Sequence, residues 1–279
     1  MKIKILPVYT HLKEYIAGVK SGLPAQELWE REVVAPYWDT LCCYAPMDLS
    51  ARKPAPILDI QTLEAQLHAL EAIDLSVLQA EFDRIAAALP TDDEDPLYVA
   101  LYPGDHADEA LRVRENGVRG TSLFGNMLLK VDPLVSDFMS YIPYVFAHEY
   151  HHSVWGNYHY VLHPEQTDTS FLTALLIDGE ADSFAHTLYP QLRPAWLYSL
   201  PRTEIEALWQ SKYAPIVLRT DVDYETYMFG NAASGIPWCA GYAVGFAMVQ
   251  DFLTKNPVDV TGLLTMPSGQ ILRESGWKI

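Results

Sequence analysis

The stretch from Phe138 to Trp155 constrains this chain more than any other. Met139, Tyr141, Ile142, Tyr144, Val145 and Phe146 make it apolar around most of a helix circumference. A helix of that kind lies buried between layers, so the fold must place other elements on more than one side of it. The same stretch nevertheless carries His148, Glu149, His151 and His152. Polar side chains are costly in such a place unless something engages them.

His148-Glu149-Tyr150-His151-His152 spells H-E-x-x-H. On a helix, positions i and i+4 share a face, so His148 and His152 can ligate one metal ion. Glu149 is then the neighbour that can reach a water on that metal and take its proton as general base. The alternative is a group of surface residues near a helix end.

A catalytic zinc takes three protein ligands and keeps one position open. Two candidates exist for the third. His159 lies downstream, but the extended pattern H-E-x-x-H-x-x-G-x-x-H needs Gly at 155 and His at 158. The chain has Trp155 and Tyr158 there, with Gly156 and His159 one residue late; a plain loop histidine is the expectation. Glu180 belongs to an acidic cluster with Asp178 and Asp182, inside an otherwise apolar helical segment. A carboxylate in that setting is expensive unless paired or metal-bound. Asp178 and Asp182 can hold ligand imidazoles by their free N–H, or can be ordinary solvated helix charges. Two histidines and a carboxylate suit Zn2+, and also Mn or Fe.

The rest of the chain reads as α+β. Ile3–Tyr9 is a short strand candidate. Helical spacing runs from Pro24 to Leu41 and from Gln61 to Leu89, the latter broken near Asp74. The acidic run Thr91–Pro96 is the expected boundary between a helical N-terminal region, 1–95, and a second domain, 96–279. In that domain Leu97–Tyr102, Gly117–Phe124 and Asn126–Val131 are expected strands, with Gly120 and Gly125 as turn or bulge points. Helices are expected to about Trp155, over Thr169–Tyr189, Thr203–Leu218 and Trp238–Lys255, and near Ser268–Ser275. Asn157–Pro164 reads as a loop.

Composition narrows the function. Against 36 Asp+Glu stand 19 Lys+Arg, a formal net charge of −17. Nucleic acid and anionic membrane both need a basic surface, so neither is an expected partner. No apolar run reaches membrane-spanning length, and the opening residues lack a signal-peptide core. Cys42, Cys43 and Cys239 form no C-x-x-C, which favours free thiols and a cytoplasmic location.

Three motifs in order carry a family resemblance. They are His148–His152, the segment Asp178-Gly179-Glu180-Ala181, and Gly241–Leu253, followed by the ending Gln270–Ser275. From about Leu97 to Ser275 the chain resembles the predicted zinc-dependent proteases classed as domain of unknown function 2268. The resemblance implies a gluzincin-like metallopeptidase on a zincin-like fold. It implies a small mixed sheet, an active-site helix and a glutamate helix, with His148, His152 and Glu180 as zinc ligands and Glu149 as general base. Gly120–Val131 would include the edge strand above the metal, where a peptide or protein substrate can pair. Tyr242 would supply an O–H to the developing oxyanion, or else simply pack between Gly241 and Gly245. One departure concerns the glutamate helix: many gluzincins carry Glu-x-x-x-Asp, and four residues after Glu180 this chain has Phe184. His151 sits next to the ligand face but not on it and is expected to have no role in the site; His163, Glu165 and His186 have no spacing argument and are expected to be structural or solvated.

Two further readings remain. One is a catalytically silent metal-binding or regulatory module on the same fold; Glu149 speaks against it, because a structural site needs no base. The other is a di-iron carboxylate bundle, which needs a second Glu-x-x-His that the sequence lacks.

Overall fold

The computed structural model of the chain describes residues 2–279. Its contacts divide it into two units, Met1–Ser153 and Val154–Ile279. The class is mixed α+β, with a single four-stranded sheet among the described residues.

The first unit runs β1 (Lys2–Leu6), α1 (Leu12–Lys20), α2 (Ala25–Leu28), α3 (Ala35–Leu41), α4 (Ile60–Glu71), α5 (Leu75–Ala88), β2 (Pro96–Pro103), β3 (Val118–Leu123), β4 (Asn126–Val131) and most of α6 (Phe138–Gly156). A π-helical stretch, Trp29–Val34, bridges α2 and α3. The strand expected over Ile3–Tyr9 stops at Leu6, because Pro7 has no N–H for the ladder, and Val8–His11 turns as a 3-10 helix. Helix α1 had no expectation; its buried Leu12, Tyr15 and Ile16 make too short a stripe to stand out. The break near Asp74 is real: its carboxylate accepts from the N–H of Ser76 at 2.9 Å and caps α5.

The sheet order is β1-β2-β4-β3. Strands β1, β2 and β4 are parallel, and β3 runs antiparallel to β4. The inner strands read as near-continuous apolar runs, with Val99, Leu101, Met127, Leu128 and Leu129 fully buried. Strand β3 is an edge, and residues 119–122 are only half-buried. A two-residue turn joins β3 to β4, with Phe124 at φ 55° and Gly125 at φ 102°. Two positive φ angles match the strand twist. Buried Asn126 accepts from the Tyr98 N–H at 2.9 Å and donates to the Leu41 carbonyl at 3.1 Å, joining β2, β4 and the end of α3.

Helix α6 is fixed within this unit by three contacts. Phe146 stacks on Phe82 of α5 with ring centroids 3.8 Å apart. The Tyr150 hydroxyl donates to the Leu89 carbonyl at 3.0 Å. Ser153 donates to the Gly125 carbonyl in the β3–β4 turn at 2.8 Å. Pro143 removes one hydrogen bond from the helix interior.

The second unit contains α7 (Phe171–Leu188), α8 (Ala195–Tyr198), α9 (Arg202–Leu208), α10 (Tyr224–Phe229), α11 (Ala240–Lys255) and α12 (Ser268–Ser275). Asn157–Leu162, expected as a loop, is π-helical. The helix expected over Thr203–Leu218 is α9 followed by a π-helical Trp209–Tyr213 and turns. Helices α7 and α11 cross where two glycines meet: a Cβ on Gly179 would lie 2.5 Å from the Gly245 carbonyl oxygen. No helix among the described residues is long and apolar enough to cross a membrane.

Candidate metal centre

Helix α6 puts His148 and His152 one turn apart on one face. Their Nε2 atoms are 2.9 Å apart and their ring planes meet at 87°. His148 is buried and His152 half-buried. Two imidazole nitrogens that converge on one point can supply two of the three protein donors a catalytic zinc takes. Two nitrogens on one tetrahedral zinc sit roughly 3.3 Å apart, so the pair is within a few tenths of an ångström of that spacing. His151 is buried elsewhere on the helix, its ring centroid 6.4 Å from that of His152.

Glu149 is 8% exposed and lies against Gly120 of β3. A Cβ at Gly120 would sit 2.5 Å from Glu149 Cγ and 2.7 Å from its carboxyl carbon. Gly120, expected from the sequence as a turn or bulge point, is neither. It pairs regularly with Leu129 in mid-strand, and its missing side chain is the space the glutamate occupies.

In the second unit, α7 carries the carboxylates. Asp178, Glu180 and Asp182 are all buried. Burial pushes the Glu180 carboxyl well above the usual carboxylate range. The Tyr224 hydroxyl donates to Asp178 Oδ2 at 3.4 Å, and the Trp196 indole N–H donates to Asp182 Oδ1 at 3.1 Å. Tyr242, on α11, packs a tilted ring 5.7 Å from Phe229. Burial, then the nearby Asp178 charge, push its phenol well above 10, so it keeps its O–H at neutral pH. Tyr224 and Trp196 lie far from both motifs in sequence, and no spacing rule points to them.

The other histidines have structural partners. His159 Nε2 bonds the Leu264 carbonyl at 2.8 Å, and its ring stacks on Trp155 at 4.0 Å. Burial lowers its pKa, which keeps it neutral. His163 tilts against Tyr158 at 4.4 Å, and His186 meets the Phe246 ring edge-on at 5.6 Å.

Comparison with known proteins agrees with the family resemblance. The uncharacterized protein YjaZ of Bacillus subtilis (strain 168) is 24% identical over 177 residues, 62% of this chain and 65% of that protein. The uncharacterized protein YjfC of the same organism is 26% identical over 145 residues, 48% of this chain and 47% of that protein. The chain thus spans about two thirds and about half of the lengths of these relatives. No solved structure matches it. The model of the family described as "Predicted Zn-dependent protease (DUF2268)" matches residues 68–273, beginning in α4 and not at Leu97 where the likeness was expected to start. The chain belongs to that family of predicted Zn-dependent proteases.

Proposed function

We propose that the protein is a zinc-dependent peptidase of zincin-like, gluzincin-type architecture. The observation that carries the reading is the converging His148/His152 pair, with the glutamate that directly follows His148 lodged at the edge strand. In this proposal His148 and His152 hold the metal with a carboxylate of α7. Glu180 is the third ligand by family likeness; Asp178, two residues earlier on the same helix, is the alternative. A metal bound there supplies Lewis-acid polarisation of a substrate carbonyl and a lowered pKa for water. Glu149 takes the proton from the attacking water and returns it to the leaving amine. Tyr242, still protonated at neutral pH, donates its O–H to the developing oxyanion. Asp182 or Asp178 orients ligand imidazoles in place of the aspartate that Phe184 replaces.

The substrate is a peptide or protein segment that pairs along β3. The chemistry resides in 96–279, with the helices of 1–95 narrowing access to it. Three free thiols suit a reducing compartment such as the cytoplasm. A catalytically silent metal-binding module is the second reading, favoured only if Glu149 proves dispensable.

The test compares zinc content and peptide turnover in wild type and Glu149→Gln. The variant should keep about one zinc per chain and lose turnover by about 10²-fold or more. Unchanged turnover would remove the mechanism and leave the silent module.

A further inference from the structure

Arg52 lies on the free edge of β3 with most of its hydrogen-bonding capacity unspent. Leu123 and Asn126 close the two-residue turn as a bonded pair. The main-chain groups of 119, 121 and 123 therefore face β4, and those of 118, 120 and 122 face outward. The outward N–H of Val118 donates to the Glu115 carbonyl at 3.0 Å. At the other end, Arg52 Nη1 donates to the outward carbonyl of Ser122 at 2.7 Å. Between them lies Gly120, whose face carries Glu149 and whose main-chain N–H and C=O point outward.

The arginine is held in place by its backbone. Its N–H donates to the Leu49 carbonyl at 2.8 Å, and Leu49 is buried. Asp48 accepts from the Ser50 N–H at 2.9 Å and stiffens the same turn. The neighbouring cation is committed differently: Lys53 pairs with Glu30 at 2.5 Å and lies over the Trp38 ring. Arg52 is exposed and, among the described residues, has no carboxylate in ion-pair reach. A guanidinium presents five N–H donors in a planar fork suited to a carboxylate, and this one spends a single donor on a neutral carbonyl.

We propose that Arg52 is a specificity residue that binds a substrate carboxylate, either a peptide C-terminus or an Asp or Glu side chain. Ser122 lies two residues from Gly120, about 7 Å along the strand. The carboxylate thus sits within about two residues of the peptide bond presented to Glu149. This inference rests on the peptidase reading.

The experiment uses the full-length zinc-loaded protein and matched fluorogenic peptides. One set has a free C-terminal carboxylate, one a C-terminal amide, and one an amide with a single Asp or Asn at successive positions. Turnover is measured for wild type, Arg52→Gln and Arg52→Lys. Binding of the same peptides is measured by anisotropy on Glu149→Gln protein, with and without Arg52→Gln. Wild type should prefer a carboxylate peptide over its neutral match by about tenfold, expressed in KM more than in kcat. Arg52→Gln should erase that preference, Arg52→Lys should restore part of it, and melting temperature should stay the same. The free-acid and Asp sets identify which carboxylate is read. Equal use of charged and neutral peptides by wild type, a preference that survives Arg52→Gln, or no binding and no turnover in any set would overturn the proposal. Carboxylate-dependent binding without turnover would support Arg52 and refute the peptidase reading.

Discussion

The Glu149 side chain occupies the space that a side chain at Gly120 would fill. The glutamate is buried on a helix and the glycine is in the middle of an edge strand, so neither can yield easily. Strand β3 thereby fixes the orientation of the proposed base, and the absence of a Cβ is a requirement of the site more than of the strand.

Gly120→Ala puts this to the test. The new methyl must displace the Glu149 carboxylate, while His148 and His152 keep their own places on α6. Alanine is the better strand residue, so stability should change by less than about 1 kcal/mol. Turnover of a peptide should fall by about 10²-fold, as for a misplaced base, with zinc content per chain unchanged. A fully active Gly120→Ala protein would show that Glu149 does not need its present position.

The α7–α11 crossing predicts a cost of a different kind. A Cβ on Gly245 would run into the Leu175 carbonyl oxygen, and one on Gly179 into the Gly245 backbone. Backbone cannot rotate away as a side chain can, so the helices must separate. Gly245→Ala should destabilise the protein by about 1–3 kcal/mol, although alanine favours a helix by about 1 kcal/mol over glycine. Calorimetry should show a melting temperature lower by several degrees. An equal or higher melting temperature would mean that the helices have slack at this point.

What was legible in the sequence followed from periodicity and punctuation. The apolar runs at 97–102 and 126–131 gave the inner strands, and Asp74 gave the break between α4 and α5. H-E-x-x-H gave two convergent imidazoles because i and i+4 spacing fixes geometry locally. Local geometry ends there. Gly120 looked like a turn signal, since nothing in its neighbours announces a glutamate arriving from another helix. Tyr224, Trp196 and Arg52 meet their partners across 46, 14 and 70 positions. Pairings over such separations are set by tertiary packing, which one sequence does not display. The π-helical Asn157–Leu162 was missed because aromatic and histidine residues there imitate a loop.

A like-charged cross-strand pair gives a pH dependence. Lys130 on β4 faces Arg119 on β3. Burial, then the Arg119 charge, hold the Lys130 pKa below 10.5, with Asp108 and Glu115 offsetting part of the effect. A lysine pKa lower in the folded state than in the unfolded state means that folding opposes the charged form. The penalty is complete at neutral pH and is relieved as pH rises from the folded value to 10.5. Lys130→Met should therefore exceed wild type in stability at pH 7 by up to about 1 kcal/mol. The gap should shrink as pH approaches 10. Urea denaturation at pH 7 and pH 10 measures both values, and a gap that is constant or reversed would contradict the assignment.

Metal removal separates the candidates for the third ligand. A metal that binds only the folded chain stabilises it by RT ln(1 + [L]/Kd), about 4 kcal/mol at a thousandfold excess over Kd. Chelation should therefore lower the wild-type melting temperature by several degrees, and added zinc should restore it. His152→Ala, which removes half of the 2.9 Å nitrogen pair, should abolish both responses. Of the two α7 carboxylates, Glu180→Gln should do the same, because a buried neutral amide supplies no charge to the metal. Asp178, which also accepts from the Tyr224 hydroxyl, should behave as a supporting group: Asp178→Asn should keep the zinc response with affinity weakened about 10–100-fold. If Asp178→Asn abolishes the response and Glu180→Gln keeps it, Asp178 is the ligand and the family likeness misassigns the position. If both variants respond to zinc like wild type, α7 contributes no ligand, and the gluzincin arrangement fails.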